Sequence, residues 1–320
     1  MPERGVFNQS ESIALSIIRV FAMMLIVSCH IAQYYGFKVA WVLNVGVQIF
    51  FFMSGFLYGK LDSSVSPFVF YKKRFIKVYL PYIIWFAIVM VVYAAFHLYR
   101  INAKQAVLYL LNLQWFSTPI EGLNHLWFLT VLMVAYLLTT WLKKFHEKYP
   151  ICCVTAFVLF CVVEFFFVKK FYSFCAWLSL YFIGMIYGYY YSKRISNIVL
   201  IVGSVILIVL GFSFKQDWLI QTENQHYSIW LHWVLGLFLF ALLFRVLPQI
   251  IRSNKKYSAI VYLDRLSYEV YLTHHPLVLG PLSMLLITRY DMVNISLLLI
   301  TVYILSRALH SVVSLAKKIL

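Results

Sequence analysis

The chain is a succession of apolar runs, each about as long as a bilayer is thick. The first, LSIIRVFAMMLIVSCHIAQYY (Leu15–Tyr35), is typical. About 20 apolar residues in helical form cross a hydrocarbon core. On that measure ten helices are expected, at roughly 13–34, 42–59, 79–98, 125–142, 150–168, 173–191, 197–214, 229–247, 266–288 and 293–313. The ninth should be kinked by Pro276, Gly280 and Pro281. Composition says the same: 63% of residues are hydrophobic and only 12% charged, against about a quarter charged in a soluble domain. The fold class is therefore an all-α polytopic membrane protein. The connecting loops are short, so residues 1–320 are expected to form a single transmembrane domain with no separate soluble one.

The formal charge of +16 would suggest nucleic acid in a soluble protein. Here the basic residues sit in clusters between apolar runs, which is how orientation is written in membrane proteins. Nineteen of the 27 Lys and Arg residues fall on one side of the expected topology and seven on the other, with Arg19 inside a helix. Both termini are therefore expected in the cytoplasm, and an even number of spans agrees with that. Five cysteines lie in apolar stretches without a Cys-x-x-Cys pair and read as small hydrophobes. No internal repeat is visible, which speaks against the inverted-repeat plan of many transporters. Histidines and carboxylates show no metal-ligand spacing, so no metal is expected.

Arg19 and His30 are the unusual residues of the first run. A helix turns ~100° and rises ~1.5 Å per residue, so a separation of eleven brings two side chains to within ~20° of one stripe, ~16 Å apart. A permanent charge two turns inside a membrane helix costs ~2.5–3.5 kcal/mol at the centre on insertion scales. Snorkelling of Arg19 and a simple interhelical contact of His30 would explain each alone. Their shared face favours a site.

Four stretches resemble the acyltransferase-3 family of integral-membrane acyltransferases. They are Arg-x10-His in the first helix (Arg19 to His30), VGVQIFFFMSGFLYGK (Val45–Lys60), FYKKRFIKVYLPY (Phe70–Tyr82) and LSYEVYLTHHPLV (Leu266–Val278). NHLWFLTVLMVAYLL (Asn124–Leu138) is similar as well. Many polysaccharide-modifying members carry an acidic residue where this chain has Gln48. The resemblance implies transfer of an acyl group, often acetyl from acetyl-CoA, to a hydroxyl of a cell-surface or lipid-linked glycan in the cell membrane. The expected partners are acyl-CoA, glycan or glycolipid, and membrane lipid, with no nucleic acid and no tightly bound cofactor.

On that reading His30 and Arg19 are the catalytic residues, His30 as general base or as covalent acyl carrier. Arg19 would bind the donor phosphates by bidentate hydrogen bonds, with Arg74 and Lys73 of a basic loop assisting. His274, His125, Trp127 and Gln48 are candidates for a cavity or an acceptor site. Tyr268 and Tyr271 are expected to pack and hydrogen-bond, and His275 to point elsewhere. A glycan transporter or flippase is the competing reading.

Overall fold

In the computed structural model, residues 7–60, 66–167, 172–191, 225–251 and 257–319 are described. Their regular structure is all helical, with no strand among them. The helices are α1 (Gln9–Tyr34), α2 (Ala40–Leu43), α3 (Val45–Gly59), α4 (Pro67–Arg74), α5 (Leu80–Ala95), α6 (Ala103–Leu110), α7 (Trp127–Lys148), α8 (Pro150–Phe167), α9 (Tyr172–Tyr189), α10 (Gln225–Ile250), α11 (Ser258–Leu279) and α12 (Asp291–Ile319). Among the described residues six helical stretches are long and apolar enough to cross a membrane: Gln9–Tyr34, Ala40–Gly59, Pro67–Ala95, Asn124–Lys148, Leu231–Ile250 and Asp291–Ile319. The seventh expected helix, 197–214, lies outside the described residues.

Several helix ends differ from the sequence expectation by a few residues, and two larger departures have local reasons. The basic segment before α5 is helix rather than loop. Pro67 opens α4 at a position where its missing N–H costs nothing, and a π-helical turn, Phe75–Tyr79, joins α4 to α5. Pro81, early in α5, lacks the N–H that would continue a regular ladder into that turn. α11 begins at Ser258 and ends at Leu279, rather than running 266–288. The helix continues through Pro276 and stops where Gly280-Pro281 follows, because proline disfavours helical geometry in the residue before it.

The chain forms two compact units. The first comprises Met1–Cys29, Val39–Ser64 and Leu137–Asp264. Its centre is the packing of α3 along α9. Gly55 and Gly59 on α3, and Gly184 and Gly188 on α9, each stand four residues apart on one helix face. A Cβ at Gly55 would overlap the Tyr181 carbonyl, and one at Gly184 the Phe52 carbonyl. Such small-residue faces let helix backbones approach closely in lipid, where dispersion replaces the hydrophobic effect as the cohesive force. Around them Phe52, Phe56, Phe240 and Phe244 form an aromatic cluster with ring centroids 5.0–5.7 Å apart.

The second unit comprises His30–Lys38, Val65–Tyr136 and Arg265–Leu320. Residues 98–126, expected as an outer loop, fold back along α5. At one end of α5 the Tyr79 hydroxyl donates to the Leu110 carbonyl at 2.5 Å and Tyr109 stacks on Phe86. At the other end Tyr93 donates to the Glu121 carbonyl at 2.9 Å. A capping box between Asn102 and Gln105 starts α6. Several carbonyls of this segment, those of Tyr109, Leu110 and Glu121 among them, accept hydrogen bonds inside the protein, as irregular backbone in a membrane protein needs. α11 and α12 are joined by polar pairs, Glu269 with His310 at 2.8 Å and Thr273 with Ser306 at 2.9 Å. Met292, Ile300, Ile304 and Leu315 of α12 are exposed, as lipid-facing residues are.

In an exposed helix Gly→Ala adds about 0.5–1 kcal/mol of stability. At Gly55 the sign should reverse. Gly55→Ala forces α3 from α9 and should cost about 1–3 kcal/mol, read as a lower unfolding midpoint of the detergent-solubilised protein. A higher midpoint would mean that the helices do not meet at this glycine.

Candidate active site

Four imidazoles meet in the second unit. His30 comes from near the C-terminal end of α1, His125 from a 3₁₀ turn (Asn124–Leu126) before α7, and His274 and His275 from α11. Ring centroids are 5.1 Å apart for His30 and His274, 4.7 Å for His30 and His275, 4.5 Å for His125 and His275, and 5.3 Å for His125 and His274. His125, His274 and His275 are buried and His30 is half-buried.

The hydrogen bonds of the cluster have a readable direction. His274 Nδ1 lies 3.0 Å from the Val270 carbonyl and 2.9 Å from the Tyr271 carbonyl. Carbonyl oxygens only accept, so the hydrogen belongs to Nδ1 of His274. In the neutral ring its Nε2 then carries a lone pair. That nitrogen sits 2.9 Å from His30 Nδ1, so the bond between the two rings must be donated by His30. His30 is left with a lone pair on Nε2, which makes no hydrogen bond among the described residues. His275 Nδ1 donates to the Gly122 carbonyl at 2.9 Å, so its Nε2 is likewise an uncommitted acceptor. His125 has no hydrogen-bond partner at either ring nitrogen although both are buried. It is held instead by its backbone, whose carbonyl accepts from Tyr271 at 2.5 Å, and by stacking on His275.

Gly122 makes this approach feasible. Its φ of +78° is one that side-chain-bearing residues rarely adopt, and a Cβ there would crowd the Tyr93 hydroxyl and the Gly280 backbone. The result is that the segment 122–125 lies against α11 beside the histidine pair.

Arg19 is in the first unit. Its Nη1 donates to both Asp264 oxygens, at 2.5 and 2.7 Å, and Ser16 donates to Asp264 at 2.8 Å. Asp264 is a partner that sequence reading passed over; an acidic residue just ahead of an expected membrane helix was the available signal. Gln48 is buried against Gly236 of α10, with its Oε1 lacking a hydrogen-bond partner. In the second unit Arg74 lies over the Phe70 and Tyr136 rings at 5.5 and 6.0 Å. Lys73 is its neighbour on α4. Trp127 meets Trp115 edge-on at 5.3 Å. Tyr268 donates to the Val78 carbonyl at 2.7 Å.

The structure thus brings His30, His125 and His274 together and adds His275, which was expected to point elsewhere. Adjacent helical residues diverge by ~100°. The site nevertheless takes in both, because His30 touches both rings and the 122–125 segment closes over the His275 side. Arg19 and Asp264 are only 23% and 12% exposed. Removing one partner of such a pair leaves the other charge unmatched in an apolar setting. Asp264→Leu should cost about 1–3 kcal/mol, measured by thermal unfolding in detergent, and adding Arg19→Leu should restore part of the loss. A double variant less stable than either single one would contradict this coupling.

A family model described as an acyltransferase domain, acyltransferase 3, matches residues 12–313, nearly the whole chain. Comparison with curated proteins and with solved structures gives no match. The chain belongs to the acyltransferase-3 family and is a multi-pass membrane acyltransferase of the O-acyltransferase type.

Proposed function

We propose that this protein transfers an acyl group, acetyl in the simplest case, from acyl-CoA to a hydroxyl of a cell-surface or lipid-linked glycan, and that the working atom is Nε2 of His30. The reading takes the chain as one catalytic domain of ten membrane helices in the cell membrane, with both termini in the cytoplasm, as the distribution of Lys and Arg favours. The observation that carries it is the half-buried lone pair on His30 Nε2, left bare because Nδ1 donates to His274.

A nitrogen in that state can accept the proton of an attacking hydroxyl or can itself attack a thioester carbonyl. His274 plays the part of the orienting group in a catalytic triad: it fixes the tautomer and the ring plane of the residue that reacts. Arg19 is the proposed ligand of the donor phosphates. Its Nε–H and Nη2 hydrogens make no hydrogen bond among the described residues, so it can hold Asp264 and an anionic oxygen at once. Lys73 and Arg74 of α4 would add to the attraction for a polyanionic donor. His125 and Trp127 belong to the proposed acceptor side, and Gln48 to a cavity in the first unit.

The test is transfer of label from [14C]acetyl-CoA to alkali-labile esters in membranes of cells carrying each form of the protein. His30→Ala should lower incorporation by at least about 100-fold at equal expression. Unchanged incorporation would sink the proposal. Replacing His274 separates orientation from folding. His274→Gln still offers an acceptor to His30 Nδ1 and should retain more turnover than His274→Leu, with the donor KM alike in both.

A further inference from the structure

Three rings of the cluster, His30, His275 and His125, carry an uncommitted lone pair, and the reaction proposed above uses only that of His30; of the other two, His275 is the one in ring contact with His30. We propose that His30 and His275 divide the chemistry: His30 Nε2 carries the acyl group covalently, and His275 Nε2 is the general base that activates the acceptor hydroxyl. This inference rests on the acyltransferase reading and deepens it.

Three observations support it. His275 Nδ1 is committed as a donor to the Gly122 carbonyl, which leaves Nε2 as the acceptor. The ring meets His30 edge to face, at 4.7 Å and 77°. A hydroxyl oxygen attacking an acyl carbon on one imidazole must stand ~3 Å from that carbon and within hydrogen-bond reach of its base. Two rings about 5 Å apart are near enough to share these tasks, whereas one nitrogen cannot hold the acyl group and take the proton together. Finally, His274 is spent on fixing His30: both its nitrogens are in hydrogen bonds. That leaves His275 as the ring contacting His30 with a lone pair to use.

The steps balance. His30 Nε2 attacks the thioester carbonyl; a C–N bond forms, the C–S bond breaks and CoA leaves as thiolate. The acyl-imidazolium keeps its Nδ1 hydrogen bonded to His274. The acceptor hydroxyl then attacks the acyl carbon while its proton passes to His275 Nε2. The C–O bond forms, the C–N bond breaks and its electron pair returns to His30. The proton on His275 is released and balances the thiolate, so the products are ester and CoA thiol.

The two half-reactions make the test. Purified protein without acceptor is mixed rapidly with acetyl-CoA, and CoA thiol is read with a chromogenic thiol reagent. Membranes of cells carrying the same variants are assayed for label transfer from [14C]acetyl-CoA. Wild type should show a burst approaching one thiol per protein, and His30→Ala none. His275→Asn keeps an amide to donate to Gly122 but lacks the Nε2 lone pair. It should keep the burst and lose at least about 100-fold in transfer. His275→Gln is the second variant, and thermal unfolding confirms that both are folded. Transfer unchanged in both folded variants, or loss of the burst together with transfer, would overturn the assignment, as would transfer by wild type without any burst. Absence of both reactions from wild type would instead overturn the underlying acyltransferase reading.

Discussion

The hydrogen bond from the His274 ring to the α11 backbone sets the direction of the others around it. Carbonyls of Val270 and Tyr271 can only accept. That single constraint puts the hydrogen on Nδ1 of His274, forces His30 to donate, and leaves His30 Nε2 bare. The carbonyls themselves are fixed by the helix, and α11 is fixed by its packing on α12 through Thr273–Ser306 and Glu269–His310. A chain of fixed acceptors thus runs from a helix backbone to a reactive nitrogen, with no ionised group in it.

Glycine and proline decide where this can happen. Gly122, with its positive φ, and Gly280, against which its backbone packs, allow the 122–125 segment to reach His275. Gly280-Pro281 ends α11 just beyond the histidines. Lipid offers no hydrogen bonds, so backbone that leaves the helix at membrane depth must be covered by protein. The folded-back segment 98–126 is covered in part this way: Tyr82 of α5 donates to the Tyr109 carbonyl, and Gln105 within the segment donates to Thr118. A region that reads as an outer loop is therefore structural support for the site.

Much of the fold was legible because helix length and hydropathy are local quantities. The spans over α1, α3, α7 and α12 follow from runs of apolar residues alone, and the Arg-x10-His spacing marked α1 as special. What was not legible depends on pairing between distant segments. Asp264 matters through Arg19, some 245 positions away. His275 matters because a turn at Gly122 meets it from a side that helical periodicity cannot anticipate. The start of α11 was hidden by Asp264 and Arg265, which depress hydropathy without disfavouring helix.

The two polar centres solve the cost of burial in opposite ways. An arginine cannot shed its proton in a protein, so placing Arg19 within an apolar helix requires an anion, and Asp264 with Ser16 supplies one. An imidazole needs no counter-ion while it is neutral, so four of them can share a buried site with only backbone carbonyls and one another as partners. Charge then arises there only when a proton or an acyl group arrives, and a second imidazole is at hand to take the proton. A carboxylate in the same position would tend to take up a proton on burial, and the cation or donors needed to keep it ionised would weaken it as a base. Neutral histidines keep the reactive lone pair uncommitted until substrate enters.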